Sequence, residues 1–168
     1  MKINRVFARA NHLTFSIPPI KELLEKYVGD GKGWADPFAR DSKVAEFTND
    51  IDTNTSAKFH LEALDFSNQV SDNLNGILFD PPYSYRQISD HYKSVGLKAS
   101  GLDTSYNFYR RVEVPLAKKL KVGGIAISFG WNTNGFGKKL GFEIVELLIV
   151  AHGLQNLVFY QKTTGLSD

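Results

Sequence analysis

Residues 76–85 read Gly-Ile-Leu-Phe-Asp-Pro-Pro-Tyr-Ser-Tyr and bring together residue types that can bind a planar amino group. Their short apolar run predicts a buried strand, and Asp80-Pro81-Pro82-Tyr83 follows at its carboxyl end, where open α/β sheets bind ligands. Two successive prolines remove two N–H donors, so the carbonyls of Asp80 and Pro81 can face a pocket without a competing local amide. The carboxylate and carbonyl oxygens can accept hydrogen bonds from the N–H groups of such an amino group, while the Tyr83 ring stacks on the planar base that carries it.

A simple turn after a strand is the alternative interpretation of this tetrapeptide. Ile17-Pro18-Pro19-Ile20 shows that a proline pair has other uses. That second pair stands just before an amphipathic run, and proline is favoured at the start of a helix. The residues that precede and follow a proline pair therefore decide its meaning.

The composition predicts one packed domain over residues 1–168. A hydrophobic fraction of 42% and 12% aromatic residues favour a globular core over disorder. The chain has no cysteine, which excludes disulfides, thiolate metal sites and a cysteine nucleophile, and fits a reducing cytoplasm. No apolar run resembles a signal peptide or a membrane span. The four histidines, which lack metal-ligand spacing, are His12, His60, His91 and His152.

Positive charge is concentrated between Ser84 and Lys121. Eight Lys and Arg residues face three Asp and Glu residues there, a local excess of +5, whereas the whole chain carries only +2. Aromatic residues are interleaved with these cations, which is typical of a nucleic-acid surface. A solvated helix face that covers core aromatics is the alternative.

Hydrophobic spacing and glycine positions predict alternating helices and strands. Helices are expected over 18–27, 62–70 and 108–120, and seven strands over 34–36, 44–50, 59–61, 75–79, 125–129, 142–150 and 156–162. The last two strands form an antiparallel hairpin. This order predicts an α/β fold with a mostly parallel, doubly wound sheet. Residues 84–107 are the one sizeable loop, so no separate target-recognition domain is expected.

Two predicted crossovers, 37–43 and 51–58, are too short for a helix. Parallel neighbours normally need a dozen or more residues between them. Seven extended residues nevertheless reach roughly 23 Å, which is enough to return along a four-residue strand of about 13 Å. The missing helices predict a thinly covered sheet face, which a second copy or a partner chain would bury.

Several segments together resemble S-adenosyl-methionine-dependent amino-methyltransferases of the DNA adenine type, especially small phage- and prophage-borne members. The resemblance covers nearly the whole chain and depends on the order and spacing of its segments. It implies a minimal Rossmann-like methyltransferase fold with several crossover helices missing. The segments that carry it are 34–38, 49–52, 59–66, 80–83, 123–125 and 129–135.

The resemblance implies S-adenosyl-methionine as the cofactor and a set of residues that contact it. Asp36 and Phe38 would line its methionine end, and the pair 62–63 would border its adenine. An acid at the end of the second strand would accept the ribose hydroxyl hydrogens, with Asp50 as first choice and Asp52 as second. The full set is Phe15, Ser16, Asp36, Pro37, Phe38, Asp50, Ile51, Glu62 and Ala63. Solvation of a strand end is the alternative for the strand-two acids, as a helix-start acid is for Glu62.

By the same resemblance, Asp80, Pro81, Pro82 and Tyr83 form the catalytic motif. Asp80 and the Pro81 carbonyl would accept hydrogen bonds from the exocyclic amino group of adenine, and the methyl group would transfer by direct in-line displacement. Tyr83 would stack on a base flipped out of the duplex. The implied partner is DNA, with RNA as a second nucleic acid, and the implied substrate-binding residues are Tyr83, Tyr85, Arg86, Trp131 and Asn132.

The first motif departs from the family where it continues as Ala39-Arg40-Asp41-Ser42. The family has a glycine turn and a helix there, and the glycine lets the helix start approach the cofactor. This departure motivates a second hypothesis, a non-catalytic remnant that binds nucleic acid or a partner. Amino-methylation of cytosine or of RNA is the alternative within the enzyme class.

Overall fold

The computed structural model describes residues 1–9, 11, 13–82, 85–98, 107–130, 135–152 and 155–163, with the backbone alone described at Tyr85, His91, His152 and 155–163. Four α-helices lie within these residues: α1 (Pro18–Tyr27), α2 (Ala63–Gln69), α3 (Tyr85–Ser94) and α4 (Phe108–Lys119). Helix α1 has the predicted bounds. Prolines occupy its first two positions, where a missing N–H costs nothing, and its apolar residues share one stripe.

The described strands form one mostly parallel sheet, so the predicted α/β class is confirmed. In the order β1-β6-β7-β5-β4-β2-β3, only β7 runs antiparallel to its neighbours. The antiparallel β6–β7 hairpin was also predicted. The strands are β1 (Lys2–Phe7), β2 (Trp34–Asp36), β3 (Phe47–Thr48), β4 (Leu74–Phe79), β5 (Leu120–Phe129), β6 (Phe142–His152) and β7 (Gln155–Thr163).

The membership of the sheet differs from the prediction at three places. Strand β1 was not predicted and pairs in parallel with β6. The predicted third strand, 59–61, is reduced to a single bridge between Asn49 and Phe59, and the predicted strand 44–50 shortens to β3. The expected loop over 84–107 contains helix α3, whose Ile88 and Tyr92 lie one turn apart and are buried.

The sheet has two differently covered faces. Alternate residues of β4 point to opposite sides, so Ile77 and Phe79 join one core cluster while Leu78 joins the other. Helix α1 covers the Leu78 face through Ile20, Leu23 and Leu24. The Ile77 face packs against α2, α3 and α4 through Phe66, Ile88, Tyr92, Val112 and Leu116.

The segments 37–43 and 51–58 contain no helix, as their lengths predict. The expected bare face does not follow at β2, however, because Trp34 is 3% exposed and packs with Val44 and Ala45 from the neighbouring loop. Larger exposed apolar side chains include Ile3 and Phe7 on strand β1, at the far edge of the sheet. The physical reason is that an extended loop whose alanines are buried can cover a short strand without a helix. Burial of a face by another chain stays a prediction.

Candidate active site

Three carboxyl groups follow neighbouring strands at one edge of the sheet. Asp36 ends β2, Asp80 directly follows β4, and Asp50 comes two residues after β3. Because these strands are parallel neighbours in the order β4-β2-β3, their carboxyl ends meet at the same edge. Negative charge on Asp80 and on Asp50 contributes to raising the pKa of Asp36. The fold therefore brings together acids that the sequence assigned separately to the catalytic motif and to the cofactor.

Asp36 has the most unusual environment of the three. Its side chain is buried, with the residue 1% exposed, and Oδ1 accepts a hydrogen bond of 3.0 Å from the Phe38 N–H. Its Oδ2 is buried and accepts no hydrogen bond from the described residues. Burial raises the pKa of Asp36 to about 8, and the charges of Asp80 and Asp50 act in the same direction. Burial thus favours the protonated form of this carboxyl group at neutral pH, while Oδ2 has no hydrogen-bond partner among the described residues.

Asp50 organises the loop that follows β2. Its carboxylate accepts N–H bonds from Arg40 at 3.1 Å and from Asp52 at 2.9 Å. These two bonds tie the Asp50 carboxylate, which is buried, to the backbone of the segments that follow β2 and β3. Asp52, the second choice, instead accepts bonds from the backbone and side-chain amides of Asn54 in an exposed turn.

Asn49 was not predicted as a site residue, although it stabilises the site's backbone. Its buried side chain donates to the carbonyls of Pro37 at 3.2 Å and Leu61 at 3.0 Å, and accepts from the Leu61 N–H at 3.0 Å. Its backbone N–H donates to the Asp36 carbonyl at 2.8 Å. The amide thus links the end of β2 to the segment before α2. In the sequence, the one sign of this structural role is that Asn49 is a polar residue near the end of a strand that is expected to be buried.

Helix α4 holds the Pro81-Pro82 segment after β4. Tyr109 Oη donates to the Pro82 carbonyl at 2.5 Å. The next residue, Arg110, donates through Nη1 to the Phe136 carbonyl at 2.9 Å and to Glu113 Oε2 at 3.0 Å. The first turn of α4 therefore fixes both the loop after β4 and the loop after β5. Sequence reasoning placed this pair only in the basic and aromatic surface.

The apolar residues of the predicted cofactor set surround the same edge. The Phe15 ring lies 5.0 Å from the Phe129 ring at the end of β5, and Phe38 packs edge-on to Phe79 at 5.6 Å. Pro37 is buried as well. The hydroxyl of Ser16 is instead used in a local turn, where it donates to the Leu13 carbonyl, and it also accepts a bond from Asn11.

The predicted adenine border is tied to helix α3. Glu62 Oε2 accepts a 2.5 Å hydrogen bond from Tyr92 Oη, so its carboxylate is already engaged. Ala63 is buried at the start of α2, and Ile51 packs against the core. Arg86, a predicted substrate contact, has an exposed side chain whose Nε lies 3.6 Å from Asp90.

The remaining predicted residues lie outside what the structure describes. These are Tyr83, Trp131 and Asn132, together with the side chain of Tyr85. The geometry of the site consequently depends on the three carboxyl groups, the Pro81-Pro82 turn and the aromatic residues around them.

Comparison with protein-family models, curated proteins and solved structures gives no significant match for this chain. Among the described residues, His, Cys, Asp and Glu side chains do not assemble in threes that could hold a metal ion. Within that same part of the chain, the helices are too short or too polar to cross a membrane.

Proposed function

We propose that this chain transfers a methyl group from S-adenosyl-methionine to the exocyclic amino group of adenine in DNA, within a minimal Rossmann-like methyltransferase fold. The observation that carries the proposal is the convergence of Asp36, Asp50 and Asp80 at the carboxyl edge, beside Pro81-Pro82. A mostly parallel sheet with an antiparallel C-terminal hairpin is the fold that the resemblance implies.

The residues at this edge fit the proposed cofactor. S-adenosyl-methionine carries an ammonium and a sulfonium, and the negative charges of Asp50 and Asp80 create a field that favours cations. An ammonium bound at the end of β2 would ionise Asp36, whose Oδ2 would then accept its N–H, and the Asp50 carboxylate would accept from the ribose hydroxyls. Phe15 and Phe38 supply apolar surface. When bound, the cofactor supplies an electrophilic methyl group.

The chain's own contribution is to position the acceptor. Asp80 and the Pro81 carbonyl accept the two N–H bonds of the target amino group, which directs its lone pair toward the methyl group. Tyr109 holds the adjoining Pro82 carbonyl, so the turn does not reorganise as charge moves. Catalysis of this kind depends on orientation and preorganised dipoles.

A non-catalytic remnant is the second candidate, and one observation favours it. The loop that replaces the glycine turn is pinned by Asn49 and by Asp50, whose carboxylate already accepts bonds from Arg40 and Asp52. A binding module would retain this rigid loop without needing a cofactor. Such a protein would bind nucleic acid and transfer no methyl group.

The deciding experiment combines cofactor binding with product analysis. Calorimetric titration with S-adenosyl-methionine and with S-adenosyl-homocysteine should give micromolar binding of both. Mass analysis of digested DNA should then show N6-methyladenine with the wild type and none with Asp80→Asn. Asp65→Asn, an exposed acid on α2, is the matched control and should retain activity. Methylation by Asp80→Asn at the wild-type rate would refute the mechanism, and duplex binding without cofactor binding would favour the remnant.

A further inference from the structure

A groove of about 790 Å³ lies between helices α2 and α4, away from the catalytic turn. Helix α4 is about 18 Å long at 1.5 Å per residue. Its first turn contacts the Pro82 carbonyl at the carboxyl edge, so the groove extends from the side of the site toward the opposite edge of the sheet. Its lining residues are Leu64, Asn68, Asp72, Asn107, Arg110, Arg111, Val114, Pro115, Lys118 and Lys119.

The groove is strongly positive. Four of its ten lining residues are Arg or Lys and one is Asp, so its formal charge is +3 while the whole chain carries +2. Two of the cations have partners: Arg110 binds Glu113 and the Phe136 carbonyl, and Lys119 lies 2.9 Å from Asp72. Within the described part of the chain, Arg111 and Lys118 form no ion pair, so their charges remain to be neutralised by a ligand.

The chemistry of the lining selects one kind of anion. The two amides, Asn68 and Asn107, can donate to phosphate oxygens, and the apolar residues are small aliphatic ones. None of the ten is aromatic, so the groove offers no ring on which a base could stack and no aromatic anchor of the kind that dominates protein interfaces. Phosphate contacts fix register without reading sequence.

We infer that the α2–α4 groove binds the sugar–phosphate backbone of the nucleic acid whose target base enters the carboxyl edge. The inference rests on the proposed function for the identity of the target, while the groove itself requires only a phosphodiester chain. Arg111 and Lys118 lie seven residues apart on α4, about 10 Å along its axis at 1.5 Å per residue, so two different phosphates of one strand can contact them. Arg111 and Lys118 would each neutralise one of them, so the groove supplies affinity and orientation, and specificity arises elsewhere.

The test is duplex binding by the full chain without cofactor, measured by fluorescence anisotropy between 50 and 200 mM salt. The groove variant is Arg111→Gln/Lys118→Gln. The control is Lys21→Gln/Lys32→Gln, which removes the same charge from exposed positions on α1 and in the loop after it. We expect the groove variant to lower the slope of log K against log[salt] by about 2 and to weaken binding by roughly 10- to 100-fold, equally for all duplex sequences.

Four results would overturn the inference. In the first, the groove variant binds duplex as the control variant does. In the second, the loss of affinity in the groove variant depends on the duplex sequence. In the third, poly-glutamate of matched charge binds the wild type as tightly as duplex DNA does, and the groove variant loses that binding. The third outcome would indicate an acidic protein as the partner. Failure of the wild type to bind duplex at all would equally refute it.

Calorimetry with S-adenosyl-methionine separates this inference from the proposed function. If the groove variant loses duplex binding while neither protein binds the cofactor, the groove assignment stands and the catalytic proposal fails. If both proteins bind the cofactor and the groove variant binds duplex normally, the groove assignment alone fails. In the expected case, the variant raises the KM for DNA and leaves kcat at saturating DNA unchanged.

Discussion

Asp36→Asn replaces a buried carboxyl group with a neutral amide of nearly the same shape, and it should change how stability depends on pH. Burial raises the pKa of Asp36 from its ordinary 3.8 to about 8. Between those values the folded protein holds a proton that the unfolded chain releases. The free energy of unfolding therefore falls as pH rises through this window, and it levels off above pH 8.

The size of the effect follows from the same two pKa values. Each pH unit is worth 1.36 kcal/mol, so a window of about four units gives an upper limit of about 6 kcal/mol at pH 8. This limit is comparable with the whole stability of a small domain, about 5–15 kcal/mol. Replacing the unpaired Oδ2 by an amide nitrogen adds a pH-independent difference to the free energy of unfolding. This difference does not alter how steeply the free energy of unfolding changes with pH.

Urea unfolding followed by tryptophan fluorescence from pH 5 to 9 measures the effect. We expect the wild type to lose several kcal/mol of stability across this range relative to Asp36→Asn, whose stability should not follow this fall with pH. Asp65→Asn, which removes an exposed acid, should follow the wild-type curve. Parallel curves for wild type and Asp36→Asn would show that Asp36 ionises normally in the folded protein, and the account of its burial would be refuted.

Three further predictions concern residues that hold the site and the sheet. Tyr109→Phe removes the hydrogen bond to the Pro82 carbonyl and should lower the free energy of unfolding by about 1 kcal/mol. We expect kcat for the proposed methyl transfer to fall about 10-fold or more while the calorimetric Kd for the cofactor stays unchanged. An equal loss in kcat and in cofactor affinity would contradict a positioning role. Asn49→Ala removes the three hydrogen bonds of a buried side-chain amide and should lower the urea-unfolding free energy by about 3 kcal/mol. The exposed Asn54→Ala should lower it by less than 1 kcal/mol. Hydrogen bonds from Tyr27 and Lys26 lower the pKa of Glu146, so the stability that ionised Glu146 contributes is present above pH 4.5 and is lost in acid. Glu146→Gln should therefore reduce the fall in unfolding free energy below that pH, and an unchanged fall would show that Glu146 and its two partners do not cause it.

The sequence predicted those parts of the fold that depend on local patterns. Helix α1 follows from the paired prolines and the apolar stripe of Ile20, Leu23 and Leu24. The convergence of acids at the carboxyl edge follows from parallel topology, since each acid comes at or just after a strand end. Strand β1 could not be found this way, because Ile3, Arg5 and Phe7 share one face with no consistent polarity. Its position is set by pairing with β6 more than 140 residues away.

Helix α3 carried a weak local signal that the prediction did not use. Ile88 and Tyr92 lie four residues apart, which is one helical turn, but the surrounding charged and aromatic residues favoured a loop. The roles of Tyr109 and Asn49 depend on acceptor carbonyls 27 and 12 residues away. Such bonds are set by tertiary packing, and neither propensity nor spacing encodes them.

The two buried, unsatisfied polar atoms among the described residues both belong to strands of the candidate site. Asp36 Oδ2 lies at the end of β2, and Ser128 Oγ lies on β5, in register with Phe79, the residue before Asp80. An unsatisfied buried group costs about 1–3 kcal/mol, and proteins tolerate such costs mainly at functional sites.

A cationic ligand would reverse the cost at Asp36, because it favours the ionised carboxylate. Cofactor binding near pH 7 should then release a proton from the wild type and none from Asp36→Asn, which calorimetry in phosphate and in Tris buffers can distinguish. Equal proton release from both proteins would separate the buried carboxyl group from the cofactor and leave its cost without a functional reason.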